Sequence, residues 1–532
     1  MSKSADKLSD QANAPFEWQL PTHFNFAADI VDKWAVDPQR LALIAVNEAG
    51  DETRLTYADI ARKSCQVANL LVKNGVTVGD RVIVMLPRIA EWQIAMVAVL
   101  RMGAIPIPCI TMLTEKDLTY RADHSGAIGI ITISDQCSKF DNIPCLSTRI
   151  CVGSAPQGWT SFDTAEDYAN NFASANVKIN DPAILYYTSG STGNPKGVTH
   201  ASRSLWAWEN SAEHWLDLGP SDRIWCTSDT GWSKAGTSIL FGPWSRGAAA
   251  LFYDGPFDPS KRFALLDKYK ITCFCAAATE LRQLVLEDAS EHDLSNLRQT
   301  VSAGESVNPE ILKRWRDLTS TDVLDGYGQT ETLMTVTNRP GRKIKAGSMG
   351  CALPGIEIAV LTPEGESIMS GAAGELLIGL PNPQVMLGYW EDPVRTENAQ
   401  VRINGKDWFA TGDNVSIDAD GYVFFTGRGD DIINSSGYRI GPQEVENALA
   451  SHDCVKECAV VGIPDETRGE LVKAWIVLKS GFTESAELTK ELQDYTKATT
   501  APYKYPRSIA YTDELPKTVT GKIRRNLLRE RG

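Results

Sequence analysis

Up to about Gly347, short apolar runs rich in β-branched residues alternate with longer stretches in which apolar positions recur every three to four residues. Residues 82–86, 128–133, 224–227, 248–253 and 271–274 read as strands, and 91–102, closed by Gly103, as a helix. This alternation predicts α/β architecture with parallel sheets covered by helices, because a parallel strand must be returned by a crossover that packs on the sheet face. From Gly347 to about Gly427, Gly/Pro turns separate short strands such as 375–379 and 422–426, which predicts a β-rich subdomain. The charged run Arg428-Gly429-Asp430-Asp431 then breaks the pattern. Beyond it, strands at 432–433, 459–462 and 474–478 with helices opening at Pro442 and near 488–499 predict a small α+β domain. The reading is a polar lead-in over 1–25, an N-terminal domain over 26–429 and a C-terminal domain over 430–532.

A chain of 532 residues, 43% apolar and 23% charged, can bury a large core and exceeds one ordinary domain. The net charge of −14 argues against a general nucleic-acid or membrane-surface role, since a phosphate backbone would meet net repulsion. Residues 515–532 depart from this balance, with six Lys/Arg against one Glu. Eleven cysteines lack a paired framework, and neither Cys273 with Cys275 nor Cys454 with Cys458 has zinc or redox spacing. The first residues show no apolar core and no arginine before Arg40, so neither a secretory signal nor an arginine-rich transit peptide is expected. The best apolar span, 92–109, is broken by Arg101, Gly103 and two prolines, so no membrane span and a cytoplasmic location are expected.

The stretch 188–197, TSGSTGNPKG, follows the apolar run 183–187. Gly190, Gly193 and Gly197 let successive N–H groups converge on an anion, Thr188, Ser189, Ser191 and Thr192 add hydroxyls, and Lys196 adds a cation. Phosphate is the natural guest. The common P-loop carries Gly-Lys-Ser/Thr, whereas Lys196 follows Pro195 and precedes Gly197, which disfavours a GTPase or transporter-type ATPase.

Four further stretches follow in order: Asp325-Gly326-Tyr327-Gly328-Gln329-Thr330-Glu331, Thr411-Gly412-Asp413, 427–446 (GRGDDIINSSGYRIGPQEVE) and 516–525 (PKTVTGKIRR). Together with the loop they resemble the motifs of the adenylate-forming superfamily, which contains acyl-CoA synthetases, firefly luciferase and the adenylation domains of peptide synthetases. The likeness runs from about Phe24 onward. It is nearest the medium-chain acyl-CoA synthetase branch, through Ser228-Asp229-Thr230-Gly231-Trp232 and Gly437-Tyr438-Arg439-Ile440-Gly441-Pro442.

The resemblance implies an ATP-dependent, AMP-forming acid:CoA ligase with ATP, CoA and Mg²⁺ as cofactors and a small carboxylic acid as partner. Joining a carboxylate to a thiol is uphill in water, and an acyl-AMP supplies the missing leaving group as pyrophosphate departs. Charge developing at the α-phosphate calls for fixed donors and a cation. By resemblance Thr330 meets a phosphate oxygen, Glu331 holds Mg²⁺ and Asp413 accepts from both ribose hydroxyls. Arg428 is the companion cation of Asp413, and Arg439 meets phosphate or anchors the second conformation. Gly304, Glu305 and Ser306, with Asp325 and the following Gly326, Tyr327, Gly328 and Gln329, flank the adenine. Lys522 bridges the substrate carboxylate and the α-phosphate during adenylation alone. Rotation of a mobile C-terminal domain about the hinge Asp430 then brings Ser436, Gly437 and Tyr438 to the pantetheine, with Arg468 and Lys504 for the CoA phosphates.

On the acyl side, the position matching Gly328 is a tryptophan in acetyl-CoA synthetases, so Gly328 beside Tyr327 predicts room for an acid of intermediate size, with Trp232 as wall or gate. The segment 276–280 (AAATE) departs from the family's usual proline and aromatic, which leaves the acid open between aliphatic and aromatic. An aryl-acid ligase, a stand-alone adenylation enzyme, a luciferase-like oxygenase and a catalytically silent nucleotide-binding relative are the alternatives. Intact Lys522, Glu331 and Thr330 argue against the last. A homodimer is left open.

Overall fold

The computed structural model describes residues 16–188, 194–305, 307, 309–362, 365–429, 431–435, 438–465, 467–500, 503–517 and 523–532. Its centre is a nine-stranded sheet. The strands Val323–Gln329, Gln299–Ala303, Cys273–Cys275, Arg223–Cys226, Ala249–Asp254 and Leu41–Asn47 run parallel in that spatial order, with antiparallel strands at both edges. A second, five-stranded parallel sheet is built from Ile105–Pro108, Arg81–Met85, Gly129–Ile133, Thr148–Val152 and Thr160–Ser161. The expected strand at 271–274 appears at Cys273–Cys275.

The helix Ala90–Arg101 is buried along its whole length, as its run of apolar residues on every face requires. The one cation it takes inside, Arg101, is bound by both carboxylate oxygens of Asp32 at 2.7 and 2.8 Å and by Ser64 and Ser174. Such pairing is what makes a buried guanidinium tolerable. Trp92, Trp208, Trp215 and Trp244 are fully buried in the same core. Part of the lead-in joins it too: Phe24 and Asn25 are buried, and Trp18 donates to the Gly355 carbonyl at 3.0 Å.

The β-rich region is a six-stranded antiparallel sheet dominated by Ala372–Gly379, Lys406–Ile417 and Val423–Arg428. The C-terminal region packs the helices Pro442–Ala450 and Ala486–Thr499 on a five-stranded sheet. Its core of Ile433, Ile440, Val445, Leu449, Val460, Val472, Ile476 and Leu492 is separate from the large N-terminal core.

Candidate active site

The strands Pro182–Thr188 and Lys196–Ala201 form an antiparallel hairpin in which Thr188 faces Lys196. The loop thus joins two antiparallel strands, unlike the parallel strands that form most of the nine-stranded sheet and all of the five-stranded sheet around Arg81–Met85. The difference follows from length, because the intervening segment is too short for a parallel crossover, which takes a dozen or more residues. Ser189, Gly190, Ser191, Thr192 and Gly193 lie outside the described residues. The strand Gly388–Tyr389 pairs along the hairpin, and the Trp390 N–H donates to the Gly197 carbonyl at 2.7 Å.

This pairing delivers Tyr389 to the site. Lys196 Nζ stands 5.3 Å from its ring centroid, and its hydroxyl donates to Glu331 Oε1 at 2.9 Å. Burial, reinforced by Glu331, raises the Tyr389 pKa and keeps the phenol a donor. Beside Glu331, Thr330 Oγ1 lies 3.2 Å from Ser233 Oγ, and His200 Nε2 donates to the Thr330 carbonyl at 2.6 Å. His200 is fully buried, and burial lowers its pKa to about 4, so it is a neutral ring with its proton on Nε2. Tyr389, Ser233 and His200 carry no sequence signal of their own. Only the Gly-Tyr-Trp setting of Tyr389 within a turn-rich stretch could have drawn attention.

A second knot surrounds Asp413. Tyr327 Oη and Gln329 Nε2 each donate to Asp413 Oδ2 at 2.6 Å, Gln329 also reaches the Thr411 carbonyl at 2.8 Å, and Arg428 Nε stands 3.4 Å from Oδ1. Asp413 is 4% exposed, so these partners are what keep its carboxylate acceptable. Asp413 lies within the Lys406–Ile417 strand opposite Arg428, next to a register break. Cross-strand pairing brings Arg428 to it, which spacing along the chain cannot show.

Gly304 and Glu305 follow the strand Gln299–Ala303, and Asp325 and Gly326 lie in the adjacent Val323–Gln329, so both segments meet at the carboxyl edge of the sheet. Burial pushes the Asp325 carboxyl up to about 7, against the Gly326 N–H that donates to its Oδ1 at 2.9 Å. Ser306 lies outside the described residues.

On the acyl side Trp232 caps the short helix Ser233–Ser238 and is partly exposed. Gly328 lies in the strand Val323–Gln329. A Cβ there would fall 2.0 Å from the Leu333 carbonyl oxygen and 2.8 Å from Met334 Cα, at the break in register between the two strands. Glycine is demanded there by the approach of the neighbouring backbone. Glu280, in the unusual 276–280 segment, is held by Arg262 Nε at 2.7 Å and by the Thr227 hydroxyl.

In the C-terminal region Tyr438 stacks on Tyr503 with centroids 4.3 Å apart, and both rings are exposed. Lys504 pairs with Glu444 and lies 5.6 Å from the Tyr503 ring centroid, while Lys497 and Arg507 flank Tyr505 at 4.2 and 4.6 Å. The Arg468 N–H donates to Asp465 Oδ1 at 2.8 Å. Arg439 contributes backbone to the strand Tyr438–Ile440. Asp430, Ser436, Gly437 and Lys522 lie outside the described residues.

A doubly layered α/β body with hydroxyls, a cation and carboxylates gathered at one strand edge defines an adenylate-forming type of enzyme. The AMP-binding enzyme model matches residues 31–390, the model of the AMP-binding enzyme C-terminal domain matches 444–522, and the chain belongs to this family. The acyl-coenzyme A synthetase ACSM4, mitochondrial, of Rattus norvegicus is 40% identical over 533 residues, covering 97% of this chain and 91% of that one. Among solved structures, the anthranilate CoA ligase AuaEII in complex with anthranoyl-AMP is 31% identical with a TM-score of 0.87, covering 96% and 98% of the two chains. The Brucella canis acyl-CoA synthetase is 31% identical with a TM-score of 0.74, covering 100% and 99%. The protein is an AMP-forming acid:CoA ligase. Among the described residues no helix is long and apolar enough to cross a membrane.

Proposed function

We propose that the protein activates a small-to-medium carboxylic acid as its acyl-adenylate and passes the acyl group to CoA, using the residues gathered at this edge. The observation that carries the reading is the pair of bonded knots, Lys196–Tyr389–Glu331 and Tyr327–Gln329–Asp413, which hold cation and carboxylates in place before any ligand arrives. Preorganised groups of this kind need no rearrangement when charge develops.

In this reading the 188–193 loop and Lys196 cradle the phosphates, Thr330 donates to a phosphate oxygen, and Asp413 with Arg428 takes the ribose. Gly304, Glu305, Ser306 and Asp325 border the adenine. Glu331 and Thr330 offer only oxygen donors, and Tyr389 occupies just one carboxylate oxygen, which suits a hard cation that shares its ligands with phosphate. Mg²⁺ held there would supply charge neutralisation between phosphate oxygens. Lys522 serves adenylation, and rotation about Asp430 exchanges it for Ser436, Gly437 and Tyr438. Arg468, Lys504 and Arg439 then meet CoA. The half-buried cations Lys497, Lys504 and Arg507 beside the rings of Tyr503 and Tyr505, with exposed Tyr438 stacked on Tyr503, support an anionic, aromatic-bearing guest there.

Pyrophosphate release measured with ATP, Mg²⁺ and a panel of aliphatic and aryl acids, with and without CoA, tests the reading. Acid-dependent release and a CoA-dependent thioester are expected. Release with acid that never yields a thioester would instead support a stand-alone adenylation enzyme.

A further inference from the structure

Backbone bonds stitch the segment 386–390 to two remote parts of the chain. The Met386 N–H donates to the Glu331 carbonyl at 2.8 Å, the Leu387 N–H to the Thr199 carbonyl at 2.8 Å and the Trp390 N–H to the Gly197 carbonyl at 2.7 Å. Tyr389 stands in register with Val198, and its own N–H donates to Thr396 Oγ1 at 2.9 Å. A Cβ at Gly197 would fall 3.0 Å from Trp390 Cβ and 3.2 Å from Leu185 Cδ1, so the close seating of this segment on the Lys196–Ala201 strand depends on glycine there. Tyr389 is therefore placed by backbone bonds to the strand that opens with Lys196 and to Glu331 itself.

The side chain carries that frame into the site. Its hydroxyl donates to Glu331 Oε1 at 2.9 Å and so engages one of the two carboxylate oxygens. Its ring centroid lies 5.3 Å from Lys196 Nζ and 5.9 Å from the guanidinium carbon of Arg395, which pairs in turn with Asp392 at 3.3 Å. One tyrosine thus touches a carboxylate and a cation that come from segments far apart in the chain. Its two ends do separable work. A phenylalanine would fill the same volume and keep its face toward Lys196, so packing alone does not call for the hydroxyl. A carboxylate that accepts a hydrogen bond on one oxygen has its plane fixed, and with it the direction of the other oxygen.

We propose that Tyr389 is a positioning residue for both groups: its hydroxyl orients the Glu331 carboxylate to receive the divalent cation that accompanies ATP, and its ring holds the Lys196 ammonium beside it. The proposal rests on the reading of Glu331 as the metal carboxylate and Lys196 as a phosphate cation, and adds the residue that holds them in common. Hydrogen-bonded partners of ligating groups are worth about 10–100-fold in metal affinity. A partly exposed cation held over an aromatic face is worth about two- to fivefold in an equilibrium constant. The hydroxyl should therefore govern the metal, and the ring the metal-free affinity for phosphate.

Titration calorimetry of ATP into the full chain, without acid and with Mg²⁺ varied from none to excess, tests this without turnover. Mg²⁺ should tighten ATP binding to the unaltered chain. Tyr389→Phe should raise the Mg²⁺ concentration that gives half of this gain by about tenfold and leave the affinity without Mg²⁺ unchanged. Tyr389→Leu should also weaken the metal-free affinity by about two- to fivefold. Adding Tyr389→Phe to Glu331→Gln should change the Mg²⁺ dependence no further, because the hydroxyl acts through that carboxylate. Thermal melts establish that the variants fold, and if the Leu variant does not, the Phe variant, which keeps the packing, carries the test. A tyrosine that serves packing alone would lower the melting temperature and leave the metal dependence in place. An unchanged Mg²⁺ dependence in folded Tyr389→Phe, or the same shift on top of Glu331→Gln, overturns the proposal. ATP binding to the unaltered chain that is indifferent to Mg²⁺, or a Glu331→Gln variant with the dependence intact, fells the metal reading of Glu331 itself.

Discussion

Asp413 and Lys234 are both charged residues set deep in the N-terminal body, yet their surroundings are finished to different degrees. Asp413 accepts from Tyr327 and Gln329 and faces Arg428, so its partners come from two sheets and fix it from several directions. Lys234 has one hydrogen-bonded acceptor among the described residues and compensating charge at longer range. The contrast teaches that a buried charge can be held by direct hydrogen bonds from several elements or by one bond with opposite charge at longer range. A ligand that is the same in every turnover rewards rigid preorganisation.

The sharpest division should come from Lys522→Ala. It is expected to abolish acyl-AMP formation, by about a thousandfold, while supplied acyl-AMP is still converted to thioester, because electrostatic stabilisation at the reacting phosphate is the largest single contribution. Equal loss in both half-reactions, measured separately by pyrophosphate release and thioester formation, would remove the division of labour.

Asp413→Ala strikes the finished side. It leaves Tyr327 and Gln329 donors without their acceptor, and removing one member of a buried charged set costs about 3–5 kcal/mol. Urea unfolding should show the loss, and equilibrium binding of ATP to whatever folds should weaken as well. Unchanged stability would mean that the knot is not the rigid element of the comparison.

Gly328→Ala tests whether this glycine serves packing or acyl space. Forcing a methyl against the Leu333 carbonyl should cost about 1–3 kcal/mol, read as a lower thermal midpoint, with the order of preference among acids kept. A stable variant shifted toward acetate would instead support the pocket reading of Gly328.

A pH-dependent effect concerns Asp325, whose folded pKa of about 7 lies above its ordinary 3.8. The folded state therefore binds more protons than the unfolded state between these values, so this group makes stability fall as pH rises from about 4 to 7. Asp325→Asn should flatten that part of the stability profile, as followed by urea melts across the window. An unchanged slope would show that Asp325 is not the carboxyl responsible.

Much of the fold was legible because its signals are local. The β-branched runs around 82–86, 128–133 and 248–253 and the helix near 91–102 all appear within a residue or two of their predicted places. The phosphate loop was legible as composition but not as topology, since a glycine-rich turn looks the same whether the strands beside it run parallel or antiparallel. Asp413 was legible as a residue of interest, while its strand setting and its partner Arg428 depended on cross-strand register. Tyr389, His200 and Lys234 were missed because an isolated tyrosine, histidine or lysine has no local pattern that distinguishes a site from a surface.

By itself the sequence determined the order of elements, the separation of an α/β body from a small C-terminal α+β region, and the chemical class, because hydrophobic period and motif composition are properties of neighbouring residues. Tertiary structure alone decided which groups meet. It set Tyr389 between Lys196 and Glu331, laid the Leu333 backbone against Gly328, and stood Lys234 over the ends of strands far apart in the chain. The reason is physical: hydrogen bonds, burial and charge act through distances of a few ångströms, and those distances are fixed by sheet order and register between segments that the chain itself keeps remote.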